Sequence, residues 1–237
     1  MLPIHAPPFD AVVAFGIGGL AWTVAALVAW IWWRYVRVST GRAVLVIAAW
    51  LAVTGGVAAS GLLRRTDLVP PPAAALIATV LATGVALASS RVGATLAARV
   101  PLVVLVGLQS FRLPLELVMH RAGEQGIMPP ALSYGGYNFD IVTGAGALLL
   151  ALTMWAGWVV PRAVLWLWNT WGLWCLAVIM AIAVASSPMM RAFGDDPRHM
   201  NTWVLDVPYV WLPTVLVVIA LAGHIVIARA LAAGRRP

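Results

Sequence analysis

Seven long apolar runs, close to residues 11–33, 43–63, 73–89, 100–120, 139–160, 163–186 and 209–231, leave this chain little choice of fold. Each is near the ~20 residues needed to cross about 30 Å of hydrocarbon at about 1.5 Å per residue. The runs are continuous. Barrel strands would alternate apolar and polar side chains over roughly ten residues, so helices are expected here. The predicted fold is all-α: a single polytopic domain, residues 1–237, of seven transmembrane helices. The first run passes straight into WIWWRYVR, with neither a basic leader nor a small-residue cleavage site, and is expected to stay as a helix.

Composition agrees, at 62% hydrophobic and 10% charged residues, against roughly 25% charged in soluble domains. All fifteen basic residues are Arg. Without lysine there is no amine for a retinal Schiff base, so seven helices do not make a rhodopsin here. The net charge of +7 reads as topology, because the arginines sit in ones and twos at helix ends, and no nucleic-acid partner is expected. Arg34, Arg37, Arg42, Arg91, Arg99, Arg162, Arg229, Arg235 and Arg236 would flank one side; Arg64, Arg65, Arg121, Arg191 and Arg198 the other. The positive-inside rule then predicts a cytoplasmic C-terminus and an outer N-terminus, for a chain expected to reside in the inner (plasma) membrane of the cell. Membrane lipid is the expected surrounding partner. The lone Cys175 excludes an internal disulfide.

The two longest connections, about 121–138 and 187–208, fall on the predicted outer side and are rich in Gly, Pro, Asp and aromatics. Loops of that length in a compact bundle often carry function. FGIGG in the first run and TGGVAASG in the second read as helix-packing seams.

One run breaks the apolar rule. LQSFRLPLELVMH carries Gln109, Arg112, Glu116 and His120, which at 100° per residue share an arc of about 80°. A mid-membrane Arg costs about 2.5 to 3.5 kcal/mol on insertion scales, so it is expected to face the interior with a partner. Glu116, four residues on, is the expected partner. Pro114 removes a donor to the Ser110 carbonyl and is expected to kink the helix and open space beside the pair. Asp140 and His120 are expected near the outer boundary, Arg112 near the middle, and Asn169 and His224 about a third of the way up from inside. Each also has a structural reading. Asn138 can cap the following helix, Asp140 can serve its dipole, and a lone His224 can be a hydrogen-bonded core residue. A metal set drawn from His120, His199, Glu116 and an aspartate lacks any recognised spacing, and His120 and His224 lie at different depths for a haem. No metal site is expected, and no cofactor is indicated.

Three stretches, QSFRLPLELVMH, SYGGYNFDIVTGAGALLLA, and WNTWGLWCLAVIMAIAVASSPMM with DVPYVWLPTVLVVIALAGH, together resemble a family of bacterial multi-pass membrane proteins. Its pattern looks like QSFRxxxE, GxNFDI, WN, then PxxxP leading to His. The resemblance covers the C-terminal half, departs at Tyr137, and implies site residues Gln109, Arg112, Glu116, Asn138, Asp140, Asn169 and His224. It implies no substrate.

Three functions fit these residues. In the first, an outward-opening cavity lined by helices 4 to 7 and the two outer loops binds a small ligand or proton for transport or sensing, with Glu116 carrying the proton and His120 relaying it. In the second, a membrane-embedded enzyme acts on a lipid, isoprenoid or quinone, with Glu116 and His120 as acid and base. In the third, the ion pair is architectural.

Overall fold

The computed structural model describes residues 7–235, so Arg236 lies outside the described residues. Among the described residues the secondary structure is helical, without strands. Among the described residues nine α-helices carry the fold: α1 Ala11–Ile31, α2 Thr40–Ala59, α3 Pro72–Ser89, α4 Arg91–Arg99, α5 Leu102–Leu108, α6 Arg112–Glu124, α7 Asp140–Trp155, α8 Arg162–Ala185 and α9 Val218–Ala232. A π turn extends α1 through Trp32–Val36, another leads into α9 through Leu212–Val217, and a 3-10 turn, Gln109–Phe111, joins α5 to α6. Six helices are long and apolar enough to cross a membrane: Ala11–Val36, Thr40–Ala59, Pro72–Ser89, Leu102–Glu124, Arg162–Ala185 and Leu212–Ala232.

The seventh expected span, 139–160, is only partly helical, because α7 holds 16 residues and stops at Trp155. Hydropathy alone missed a helix stop. Gly157 has φ +82, its amide donates to the Met154 carbonyl, and that of Trp158 donates to the Thr153 carbonyl. This is a Schellman closure on a left-handed glycine. The apolar residues Trp158 to Val160 then run outside the helix to Pro161, which opens α8.

α9 is the hub, packing against α3, α4, α5 and α8, while α7 lies against α5, α6 and α8, and α1 against α6. The two ends of the bundle are held by different chemistry. At one end, arginines satisfy carbonyls left over at helix termini: Arg99 donates to Val36 (3.0 Å), Arg235 to Val100 (2.7 Å), Arg229 to Ala88 and Arg162 to Leu231. At the other end, arginines pair with carboxylates: Arg121 with Asp10 (2.7 Å), Arg191 with Asp195, Arg198 with Asp196, Arg65 with Asp67 and Arg64 with Asp206. The Arg121 guanidinium and the Val13 amide hold the Asp10 carboxyl down to about 2. Burial pushes Asp206 up, against the pull of Arg64.

The two glycine seams are used in part. Gly18 lies against Pro208 and Gly55 against Trp211, whereas Gly19, Gly56 and Gly61 face open space. Among the described residues the hydrophobic core divides into a large cluster centred on α1, α6 and α9, a second toward the carbonyl-capping end, with Val100, Leu102, Leu105, Val106, Leu165 and Ile227 at its heart, and a small third one of Ala58, Leu63, Leu205 and Val210.

Candidate functional site

The site begins where α5 cannot continue as a plain α-helix. Pro114 has no amide to offer the Ser110 carbonyl, and the turn ahead of it tightens to 3-10. That turn keeps Arg112 and Glu116 on the buried side, at 1% and 2% exposure. The space expected beside Pro114 is absent. α7 fills it, with Gly144 so close that a Cβ there would stand 2.3 Å from the Leu113 amide nitrogen.

This approach puts Asp140, one turn before Gly144, against Arg112. The guanidinium donates from Nε at 3.0 Å and from a terminal nitrogen to the same carboxylate oxygen. The partner of Arg112 is therefore Asp140, correcting the expected pair with Glu116. Residues four apart on one helix are neighbours, but a facing helix at backbone contact offers a carboxylate across the groove. The other terminal nitrogen of Arg112 lies 2.7 Å from His224 Nε2. A guanidinium only donates, so Nε2 is the bare nitrogen and the proton sits on Nδ1. Nδ1 then donates to Asn169 Oδ1 at 2.9 Å, and the Asn169 amide donates to the His224 carbonyl at 3.2 Å. His224, Asn169 and Arg112, expected at different depths, thus meet because long side chains span the offset.

Glu116 is held separately. The Asn138 amide nitrogen lies 2.9 and 2.8 Å from its two oxygens and 3.0 Å from the Leu132 carbonyl, while Asn138 Oδ1 accepts the Asp140 amide at 3.0 Å. One side chain thus accepts the first amide of α7 and binds the carboxyl, although the N-cap position itself is Phe139, which has no side-chain cap. Among the described residues no cation pairs with Glu116. Gln109 is fully buried, and neither of its amide atoms has a protein partner.

His120 is not part of this buried network. Its side chain is one-third exposed, stacks on Tyr134 at 4.2 Å between centroids, and sits 3.7 Å from Glu124. It lines a cleft of about 650 Å³ with Glu124, Ser133, Tyr137, Phe193 and His199. The walls are the C-terminal end of α6 and the two long connections, which meet where Tyr137 stacks on Phe193 at 6.4 Å. Glu116 lies beneath, four residues and about 6 Å along the helix from His120. The donors weighed for a metal do not converge: among the described residues no three His, Cys, Asp or Glu side chains come together.

Composition and spacing missed several members. Trp168 donates to the Thr143 carbonyl at 3.0 Å and lies 5.3 Å from the His224 ring, and Gly172 leaves that ring its space, since a Cβ would sit 2.3 Å from Cε1. The signal available was a small residue four places after Asp140.

No family model, curated protein or solved structure matches this chain. Its chemistry is therefore read from its own residues.

Proposed function

We propose that this chain is a multi-pass membrane protein that takes up a proton or a small polar ligand at the cleft and registers it on Glu116, for transport or sensing. The observation that carries this reading is a buried carboxyl with no cation beside it, one helical turn beneath a cleft floored by an accessible histidine. His120, one-third exposed on the cleft, relays between cleft water and Glu116. Asn138 orients the carboxyl from the start of α7, which the network of Arg112, Asp140, His224 and Asn169 holds in place, and Gln109 ends the row of polar residues on that face. Beyond it lies the second hydrophobic cluster, so transport would require that end to open, while sensing would not.

The same proposal includes α7 as a seventh crossing, the cleft outside, the C-terminus in the cytoplasm, and residence in a bacterial inner membrane, as the arginine distribution and the family resemblance suggest. Glu116→Gln keeps the shape and hydrogen-bonding reach but cannot carry a proton. In acid-induced infrared difference spectra of purified protein, the wild type is expected to show a carboxyl protonation band that this variant lacks. Proton flux into liposomes holding a pH dye would separate transport from sensing. A band and flux equal to wild type in Glu116→Gln would sink the reading.

A further inference from the structure

The arginines of this chain divide by what they bind, and the division sets apart one cluster of three. Among the described residues, five pair with aspartates at the cleft end, Arg112 pairs with Asp140, and Arg99, Arg162, Arg229 and Arg235 cap helix carbonyls. Arg34, Arg37, Arg42 and Arg91 do neither, and the first three stand together. They crowd into nine residues of the α1 to α2 connection, all exposed, with no carboxylate or carbonyl bound to any of them. Arg34 touches only the Tyr35 ring, at 5.1 Å.

The backbone there shapes a niche. The π turn closes on Arg37 in the left-handed region, where its amide donates to the Trp32 carbonyl at 3.0 Å, and the Trp32 indole donates to the Val38 carbonyl at 2.8 Å. Ser39 then starts α2 without a side-chain cap. The first amides of a 20-residue helix open beside the free arginines, and Trp33, Arg34, Arg37 and Thr40 line a hollow of about 530 Å³. The exposed Trp33 indole and the apolar α1 and α2 that leave this turn put the hollow at the boundary of two spans. An indole at the headgroup level and unpaired basic side chains just beyond a span are what an anionic lipid surface attracts.

We propose that this niche is a binding site for the phosphate of an anionic phospholipid headgroup, held by Arg34 and Arg37 with Thr40 and the open α2 amides, while Trp33 lies along the glycerol and upper acyl region. Charge complementarity favours this occupant. The niche presents two guanidiniums and a positive helix end with no protein anion to neutralise them. The site lies at the opposite end of the bundle from the cleft and does not depend on how the cleft works.

The test is native mass spectrometry of the full chain in mild detergent, titrated with phosphatidylglycerol or phosphatidylcholine. Wild type is expected to retain one phosphatidylglycerol in preference to phosphatidylcholine. Each arginine removed weakens retention about fivefold, so R34Q/R37Q is expected to bind about 25-fold more weakly. R34K/R37K, keeping the charge, should recover most of the binding and show that the fold is intact, and R191Q/R198Q should bind as wild type. Equal retention by R34Q/R37Q, or equal retention of phosphatidylcholine, would overturn the proposal. Displacement of the lipid by millimolar inorganic phosphate would also overturn it, by assigning the niche to free phosphate.

Discussion

Arg112 has a carboxylate four residues along its own helix and another across the groove, and it binds the second. The choice leaves Glu116 with amide donors alone, and so gives the two carboxylates different tasks. Asp140 neutralises a buried cation, and its loss is expected to be costly, because breaking a buried pair by removing one partner leaves an uncompensated charge worth about 3 to 5 kcal/mol. Asp140→Asn should therefore lower the thermal unfolding midpoint in detergent by far more than Glu116→Gln does. Arg112→Met combined with Asp140→Leu should recover much of the loss, since the charge goes with its partner. An Asp140→Asn protein as stable as wild type would show that Arg112 has found another anion.

At the scale of the element, α7 is short for a physical reason. Sixteen residues rise about 24 Å, some 6 Å under the usual hydrocarbon thickness. Gly144 is level with Leu113, so the helix starts near Glu116, well short of the C-terminal end of α6 at Glu124. The connection between them descends into the bundle and roofs the start of α7, with Leu132 and Ser133 buried and the cleft above. Irregular backbone at that depth is tolerated because it is buried in protein or lines a cavity. The close approach of α7 to α6 is the linchpin. Gly144→Ala would push the Leu113 backbone away, at a cost of about 1 to 3 kcal/mol or more as overpacking, and should loosen the Asp140 to Arg112 contact. Gly56→Ala, where a Cβ meets nothing within 4 Å, should leave the unfolding midpoint unchanged or slightly raised. Equal effects from the two substitutions would show that helix propensity, rather than the α6 to α7 contact, governs stability.

The whole molecule has two unlike ends and a dry half. Carboxylate-paired arginines and the cleft mark one end; carbonyl-capping arginines and the apolar cluster of Val100, Leu105 and Ile227 mark the other. That asymmetry predicts accessibility. The single native cysteine, Cys175, is buried and should stay unlabelled by a membrane-impermeant maleimide in intact cells, serving as its own blank. Tyr137→Cys, at the cleft, should label from outside, and Leu105→Cys should not label from either side. Labelling of Tyr137→Cys only after the membrane is opened would invert the proposed orientation.

The amino-acid sequence by itself determined the helical class, the membrane-length runs and the residues of the polar stripe, because hydrocarbon penalises charge and unpaired backbone locally, residue by residue. It also made Asn138 legible as an acceptor at the start of α7, since such a bond acts within its own turn. It could not show that Asn138 also binds Glu116, or that Arg112 belongs to Asp140. Those outcomes depend on how closely two helices approach and on which long side chains then reach each other. Such distances are set by Gly144 meeting the Leu113 backbone and by the space Gly172 leaves for His224, and only the packed bundle decides them.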